Sequence, residues 1–196
     1  ILIDEAISSG LMLSKFTSGA PRHDLITLTG GAIGQGLPNA IGAAIACQDR
    51  PVLALIGDGS SMYTIQSLWT IAREQLDVTA VIFNNASYSV LNVELERVGA
   101  ERIGPKARAQ LDLHGPVLKF AQIADGMGVP STRATTPDEF TDALARALAT
   151  PGPHLIEAMV PPALSGLKLK LLPHLLGSLD RLPLSVARML KRKIAP

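Results

Sequence analysis

The sequence predicts an α/β domain built on a parallel sheet with helices on both faces. Three observations predict it. First, the runs Val52-Leu53-Ala54-Leu55-Ile56 and Val78-Thr79-Ala80-Val81-Ile82-Phe83 are rich in β-branched and aromatic residues. They lack polar alternation, as expected of strands buried on both faces. Second, Ile65, Leu68, Trp69 and Ala72 between them fall at helical spacing. Third, the runs end in Gly57-Asp58-Gly59-Ser60 and Asn84-Asn85, which read as strand ends. Strand, helix and strand over that distance make a βαβ unit with a right-handed crossover. Parallel strands finish on one edge, so Asp58 and Asn85 are expected side by side where open α/β sheets hold ligands.

Those residue types suit a divalent cation carrying a diphosphate. Magnesium takes six oxygens at about 2.0–2.1 Å, usually one or two from the protein and others from phosphate and water. Asp58 offers a carboxylate, Asn85 an amide oxygen, and Ser87 a main-chain carbonyl just beyond. Gly57 and Gly59 would let a diphosphate approach the main chain, which a Cβ obstructs. Ser60 and Ser61 are expected to open the crossover helix, whose free N–H groups favour an anion; Ser60 also suits its N-cap. Alone, Asp58-Gly59 is an ordinary turn and Asn84-Asn85 an ordinary loop start. Their joint placement across a βαβ unit is what makes them specific.

With this spacing, Gly57-Asp58-Gly59 and Asn84-Asn85 resemble the signature of thiamine-diphosphate enzymes, in the branch of acetolactate synthase large subunits and benzoylformate decarboxylases. The resemblance covers residues 1 to about 160. Asp4-Glu5-Ala6 after a short apolar run supports it, as does the glycine-rich stretch from Gly30 to Ala44. Phe120-Ala121-Gln122-Ile123-Ala124 and Leu155-Ile156-Glu157 resemble the family's last helix and strand. The resemblance implies thiamine diphosphate and magnesium as cofactors and leaves a flavin open. It implies that Asp58, Asn85 and the Ser87 carbonyl bind the metal. Ser8, Ser60 and the main chain of Ser87, Tyr88, Ser89 and Val90 would contact the diphosphate. Ile33 would wedge the cofactor into a bent shape, and the Gly31 carbonyl would accept from its aminopyrimidine. Bending places an amine against the reacting carbon, where effective concentrations are very large. Leu91 and Glu94 would line the substrate pocket, a carboxylate at 94 arguing against a bulky apolar substrate.

The implied reaction is decarboxylation of a pyruvate-like 2-keto acid with transfer to a second keto acid. Simple decarboxylation and a non-catalytic cofactor-binding homologue are the rivals. A dinucleotide-binding domain fits less well, because Gly31-Ala32-Ile33-Gly34-Gln35-Gly36 lacks the G-x-G-x-x-G spacing. The family's activating glutamate lies on another domain. The chain opens at Ile1 inside a strand-like run and has room for one α/β domain, so a fragment of a longer chain is expected. Sites between subunits of a homodimer or homotetramer are implied. Glu5, Glu94 and Glu96 are not expected to replace the missing glutamate.

Composition agrees with a globular domain: 47% hydrophobic and 18% charged residues. The single cysteine, Cys47, allows no internal disulfide and reads as a structural thiol on the apolar face of the Ala40–Ala46 helix, in a reducing, cytoplasmic setting. His23, His114, His154 and His174 lack ligand spacing. Gly99 to Gly115 reads as a mobile connector.

Charge divides the chain. Residues 1–160 carry 11 Lys and Arg against 16 Asp and Glu, whereas 161–196 carry 7 against 1. This basic segment repeats Leu167, Leu171, Leu175, Leu182, Val186, Met189 and Leu190 at roughly helical spacing, and Pro161-Pro162, Pro173 and Pro183 divide it. A short helical C-terminal arm is expected. It would pack on the domain or a partner subunit, attach to anionic lipid or, as the family implies, fold over the cofactor. Nucleic acid is not an expected partner, because the arm has no aromatic residue to stack on bases.

Overall fold

The computed structural model describes residues 1–98 and 104–161. In chain order these form β1 (Leu2–Glu5), α1 (Leu13–Phe16), β2 (Leu25–Thr27), α2 (Gly36–Ala46), β3 (Val52–Gly57) and α3 (Asp58–Ser61). There follow α4 (Ser67–Arg73), β4 (Val78–Asn84), α5 (Ser89–Arg97), α6 (Pro105–Ala109), α7 (Phe120–Gly126), β5 (Ser131–Ala134), α8 (Pro137–Ala149) and β6 (His154–Met159). The residues divide into two compact units. One, residues 1–88 and 112–161, holds the sheet. The other includes residues 89–111, with α5 and α6. The C-terminal arm expected over 161–196 lies outside the described residues except for Pro161.

The six strands are all parallel, in the order β2-β1-β3-β4-β6-β5. Alternate side chains explain why the strands read as continuous apolar runs. Ile3, Ala54, Ile56, Val78, Ala80, Ile82 and Leu155 face one core, with Leu37 and Ala40 of α2, Leu68 and Ile71 of α4 and Phe120 of α7. Leu55, Val81, Ile156 and Ala158 face the other, with Ala143 and Ala147 of α8. Burying each large side chain contributes about 1.5–3 kcal/mol, so a polar substitution on either face of the central strands would be costly.

The order also fixes where a ligand fits. From β1 the chain crosses one way to β2, and from β3 the other way to β4, so the topology switches between β1 and β3. At such a switch, the loops leaving the carboxyl ends part and open a crevice.

Several expectations change. The crossover helix does not open at Ser60 and Ser61. α3 is a single turn with Gly57 as its N-cap, so Ser60 lies inside it and does not cap it. The chain then runs through tight turns, Tyr63 N–H to Ser60 O at 3.3 Å and Thr64 N–H to Ser61 O at 3.2 Å. The longer helix begins at Ser67, where Leu68 and Ile71 supply its buried stripe. Trp69 falls off that stripe and is 54% exposed, with the Arg73 guanidinium 4.8 Å from its ring centroid. Cys47 is half-buried at the C-cap of α2. The stretch read as a connector from Gly99 to Gly115 contains α6, opened by Pro105 at its first turn. Residues 99–103 lie outside the description.

Candidate functional site

β3 and β4 pair in register from Val52↔Val78 to Gly57↔Phe83, so Asp58 and Asn85 leave the sheet as neighbours on its carboxyl edge. Asp58 is 3% exposed. Its Oδ1 accepts from the Gly59 amide at 2.8 Å. Its Oδ2 accepts from the amides of Asn85 at 3.0 Å and Ala86 at 2.7 Å. Burial pushes the Asp58 carboxyl above the usual carboxylate range, and these amides oppose the rise without cancelling it. An added cation would favour the charged form.

The two asparagines do different things. Asn85 Oδ1 turns back to accept from the Ser87 amide at 2.9 Å, an Asx turn that brings its amide oxygen onto the loop beside Asp58. Asn84 is 4% exposed and points toward β6. Its Nδ2 donates to Glu157 Oε1 at 2.7 Å, and its Oδ1 accepts from the Ala86 amide at 3.1 Å. Ala86 sits at φ 55°, the left-handed region that an alanine enters at a cost. Its carbonyl accepts from Leu113 at 2.9 Å, and Ser87 forms a bridge with Asp112. The loop is thus held from three sides.

The Gly30–Gly36 stretch is held by a residue that sequence reasoning set aside. Glu5, at the end of β1 and 1% exposed, accepts from the Gly36 amide at 2.6 Å and from the Gly34 amide. Thr64 Oγ1 donates to the Gly34 carbonyl at 2.8 Å. A Cβ on Gly36 would crowd Ile56 and the Glu5 carboxylate, so the glycine leaves room for this grip. These contacts fix the loop carrying Gly31, at φ 72°, and the half-buried Ile33. Gly31 and Ile33 follow β2 while Ser8 follows β1, so both loops open on the edge that Asp58 and Asn85 occupy. Ile7, beside Ser8, has φ 48°, a second strained residue on this edge.

Two glycines of the Asp58 motif differ from expectation. A Cβ on Gly59 would overlap the Tyr88 ring, so Gly59 makes room for Tyr88. One on Gly57 would meet only ordinary contacts at 3.7 Å. Ser60 is buried in α3. Ser89, Val90, Leu91 and Glu94 fall on the first two turns of α5, in the other unit. Leu91 and Glu94 are three apart and share a helix face; Leu91 is 45% exposed.

The donor set fits a hard cation bridged to a diphosphate: one desolvated carboxylate, one amide oxygen and main-chain groups on adjacent strand ends. Among the described residues no three His, Cys, Asp or Glu side chains gather as metal ligands, so any cation here would rely on amide, main-chain and phosphate oxygens besides Asp58. No described helix is long and apolar enough to cross a membrane.

A family profile, Thiamine pyrophosphate enzyme, C-terminal TPP binding domain, matches residues 8–158. A Mycobacterium tuberculosis protein with the provisional name acetolactate synthase large subunit IlvX is 57% identical over 162 residues, covering 82% of this chain and 32% of that protein. Acetolactate synthase 2, chloroplastic, of Nicotiana tabacum is 37% identical over 150 residues, covering 72% of this chain and 21% of that protein. Among solved structures, the thiamine diphosphate-dependent 4-hydroxybenzoylformate decarboxylase of Rhodococcus jostii superposes with a TM-score of 0.63 at 36% identity, covering 70% of this chain and 25% of that one. The chain therefore spans between a fifth and a third of the length of these relatives.

Proposed function

This chain belongs to the thiamine pyrophosphate enzyme family, as its C-terminal cofactor-binding domain, and from that premise we propose that it holds magnesium and thiamine diphosphate in an acetolactate-synthase-like enzyme. The observation that carries the reading is Asp58, a buried carboxylate whose oxygens accept from the main-chain amides of Gly59, Asn85 and Ala86. Asp58, Asn85 and the Ser87 carbonyl would hold the metal. Ser8, Ser60 and the main chain from Ser87 to Val90 would hold the diphosphate, and Gly31 and Ile33 would set the cofactor's shape. When bound, the cofactor supplies an electron sink for decarboxylating a 2-keto acid.

This chain's residues bind, orient and desolvate. Asp58 and Asn85 would fix the cation, whose charge would offset that of the diphosphate end. Glu5 holds the Gly31–Ile33 loop rigid, so that the shape imposed on the cofactor does not relax. Leu91 and Glu94 are proposed to face the substrate. The reaction is decarboxylation of a pyruvate-like acid with transfer to a second keto acid, in a cytoplasmic homo-oligomer whose activating glutamate comes from another domain. Likeness to a 4-hydroxybenzoylformate decarboxylase supports a second reading, simple decarboxylation without transfer.

The test uses the full-length protein. Calorimetry should show thiamine diphosphate binding that requires Mg2+, and pyruvate should yield acetolactate. Acetaldehyde as the product would favour simple decarboxylation. Lack of Mg2+-dependent cofactor binding would overturn the reading.

A further inference from the structure

The loop that presents Asn85 and Ser87 depends on one main-chain group, the Ala86 amide. It donates to Asp58 Oδ2 at 2.7 Å and to Asn84 Oδ1 at 3.1 Å. Sharing its hydrogen between two oxygens fixes this amide while Ala86 stays at φ 55°. The second acceptor works only if the Asn84 amide presents its oxygen to Ala86. Rotated by half a turn, Asn84 would present its NH2 to the Ala86 N–H, donor against donor.

Glu157 sets that orientation. It lies on β6, adjacent to β4 and paired with Ile82, and is 2% exposed. Its Oε1 accepts from Asn84 Nδ2 at 2.7 Å. Its Oε2 accepts from the Ala121 amide at 3.1 Å, one of the free amides of the first turn of α7. Both Glu157 oxygens accept in this arrangement, so the side chain offers Asn84 no donor. In the rotated form, Asn84 Oδ1 would therefore face Glu157 oxygen against oxygen, unfavourable at both ends.

We propose that Glu157 is a positioning residue for the metal loop: by fixing the Asn84 amide it holds Ala86, and so presents Asn85 and Ser87 to the cation beside Asp58. Glu157 touches neither metal nor substrate. Its reach runs through two hydrogen bonds, Glu157 to Asn84 and Asn84 to Ala86. The inference rests on the magnesium–diphosphate reading and adds a residue that reading does not contain.

The test is a double-mutant cycle in the full-length protein, with Mn2+ as the probe, counted by electron paramagnetic resonance in the presence of thiamine diphosphate. Glu157→Gln keeps the size of the side chain but leaves one acceptor oxygen for two donors. Either Asn84 loses its orienting partner or Ala121 loses its own. Groups that orient metal ligands typically change affinity 10–100-fold, so a Kd for Mn2+ raised about tenfold is expected. Asn84→Ala should raise it similarly. Because Glu157 acts through Asn84, Glu157→Gln should add nothing in the Asn84→Ala background. An unchanged Kd in both Glu157→Gln and Glu157→Leu, the latter leaving Asn84 no acceptor at all, or losses that multiply in the double variant, would overturn the inference while leaving wild-type binding intact. A merely structural Glu157 would lower the melting temperature with an unchanged Kd, which also overturns it. Failure of the wild type to bind Mn2+ with the cofactor would overturn the underlying reading and this inference with it.

Discussion

The amide of Asn85 donates to Asp58 Oδ2 at 3.0 Å across 27 residues of sequence. The two residues therefore already share one site before any cation enters it. That bond follows from the pairing of β3 with β4, which ends at Gly57↔Phe83, one residue before Asp58 and two before Asn85. A cation at the site would find a carboxylate that is desolvated and already aimed at the facing loop.

Asp58 should govern both cofactor affinity and its pH dependence. Asp58→Ala should weaken Mg2+-dependent thiamine diphosphate binding by about hundredfold or more, read by calorimetry; retained affinity would exclude Asp58 as a ligand. Burial raises its folded pKa. Its contribution to the metal-free fold is therefore complete below the ordinary carboxylate value and is lost as pH rises through the raised one. Metal affinity runs the other way, falling as pH drops through that raised value because protons compete with the cation. A pH-independent Mg2+ affinity in weak acid would contradict this.

Ala86→Gly should stabilise the protein. The left-handed region costs an L-residue about 1–2 kcal/mol, and glycine returns part of that through a freer unfolded chain. A net gain of about 0.5–1 kcal/mol in urea unfolding is expected, and a loss would show that the alanine methyl packs favourably.

Glu5→Gln should loosen the glycine-rich loop. The carboxylate accepts from both Gly34 and Gly36, whereas a glutamine has one oxygen for the two donors. Leaving a buried amide unsatisfied costs about 1–3 kcal/mol. Hydrogen exchange should speed up at Gly34 and Gly36 before it does in β3, and uniform exchange would refute the local role.

Thr136→Ala should weaken α8 by about 1 kcal/mol. Thr136 Oγ1 accepts from the Glu139 amide at 3.2 Å, and Glu139 Oε2 accepts from the amide of Thr135, one residue before the N-cap, at 2.7 Å. The Thr135 amide bond holds the Glu139 carboxyl below the usual range. That contribution is present above the ordinary carboxylate value and is lost as pH falls through the lowered one. The midpoint difference between wild type and Glu139→Gln should therefore shrink in acid, and a difference constant with pH would show that the Glu139 charge is not what matters.

Much of this was legible in local pattern. Unbroken apolar runs announced strands buried on both faces, and Asp58 and Asn85 ended two of them because function needs polar groups where the sheet stops. The short elements were harder to read. β2 has three residues, all exposed, and β5 is largely exposed, so neither carries a hydrophobic run. α8 did have a readable start in Thr136-Pro137-Asp138-Glu139, a capping signal with proline at its first turn. Trp69 misled because helical spacing alone does not say which side of a stripe a neighbour covers.

By itself, the sequence determined the class of fold, the family and the pair of residues that meet at the sheet edge. The fold class and the pair follow from hydrophobic period and the place of the motifs at strand ends, which are local, and the family follows from the resemblance those motifs carry. Only the tertiary structure decided that Asn84 and Asn85 face different partners, that Glu5 grips the glycine-rich loop, and that Glu157 reaches the site through Asn84. Each depends on which strands become neighbours, and a buried carboxylate finds its donors among residues brought close by sheet order.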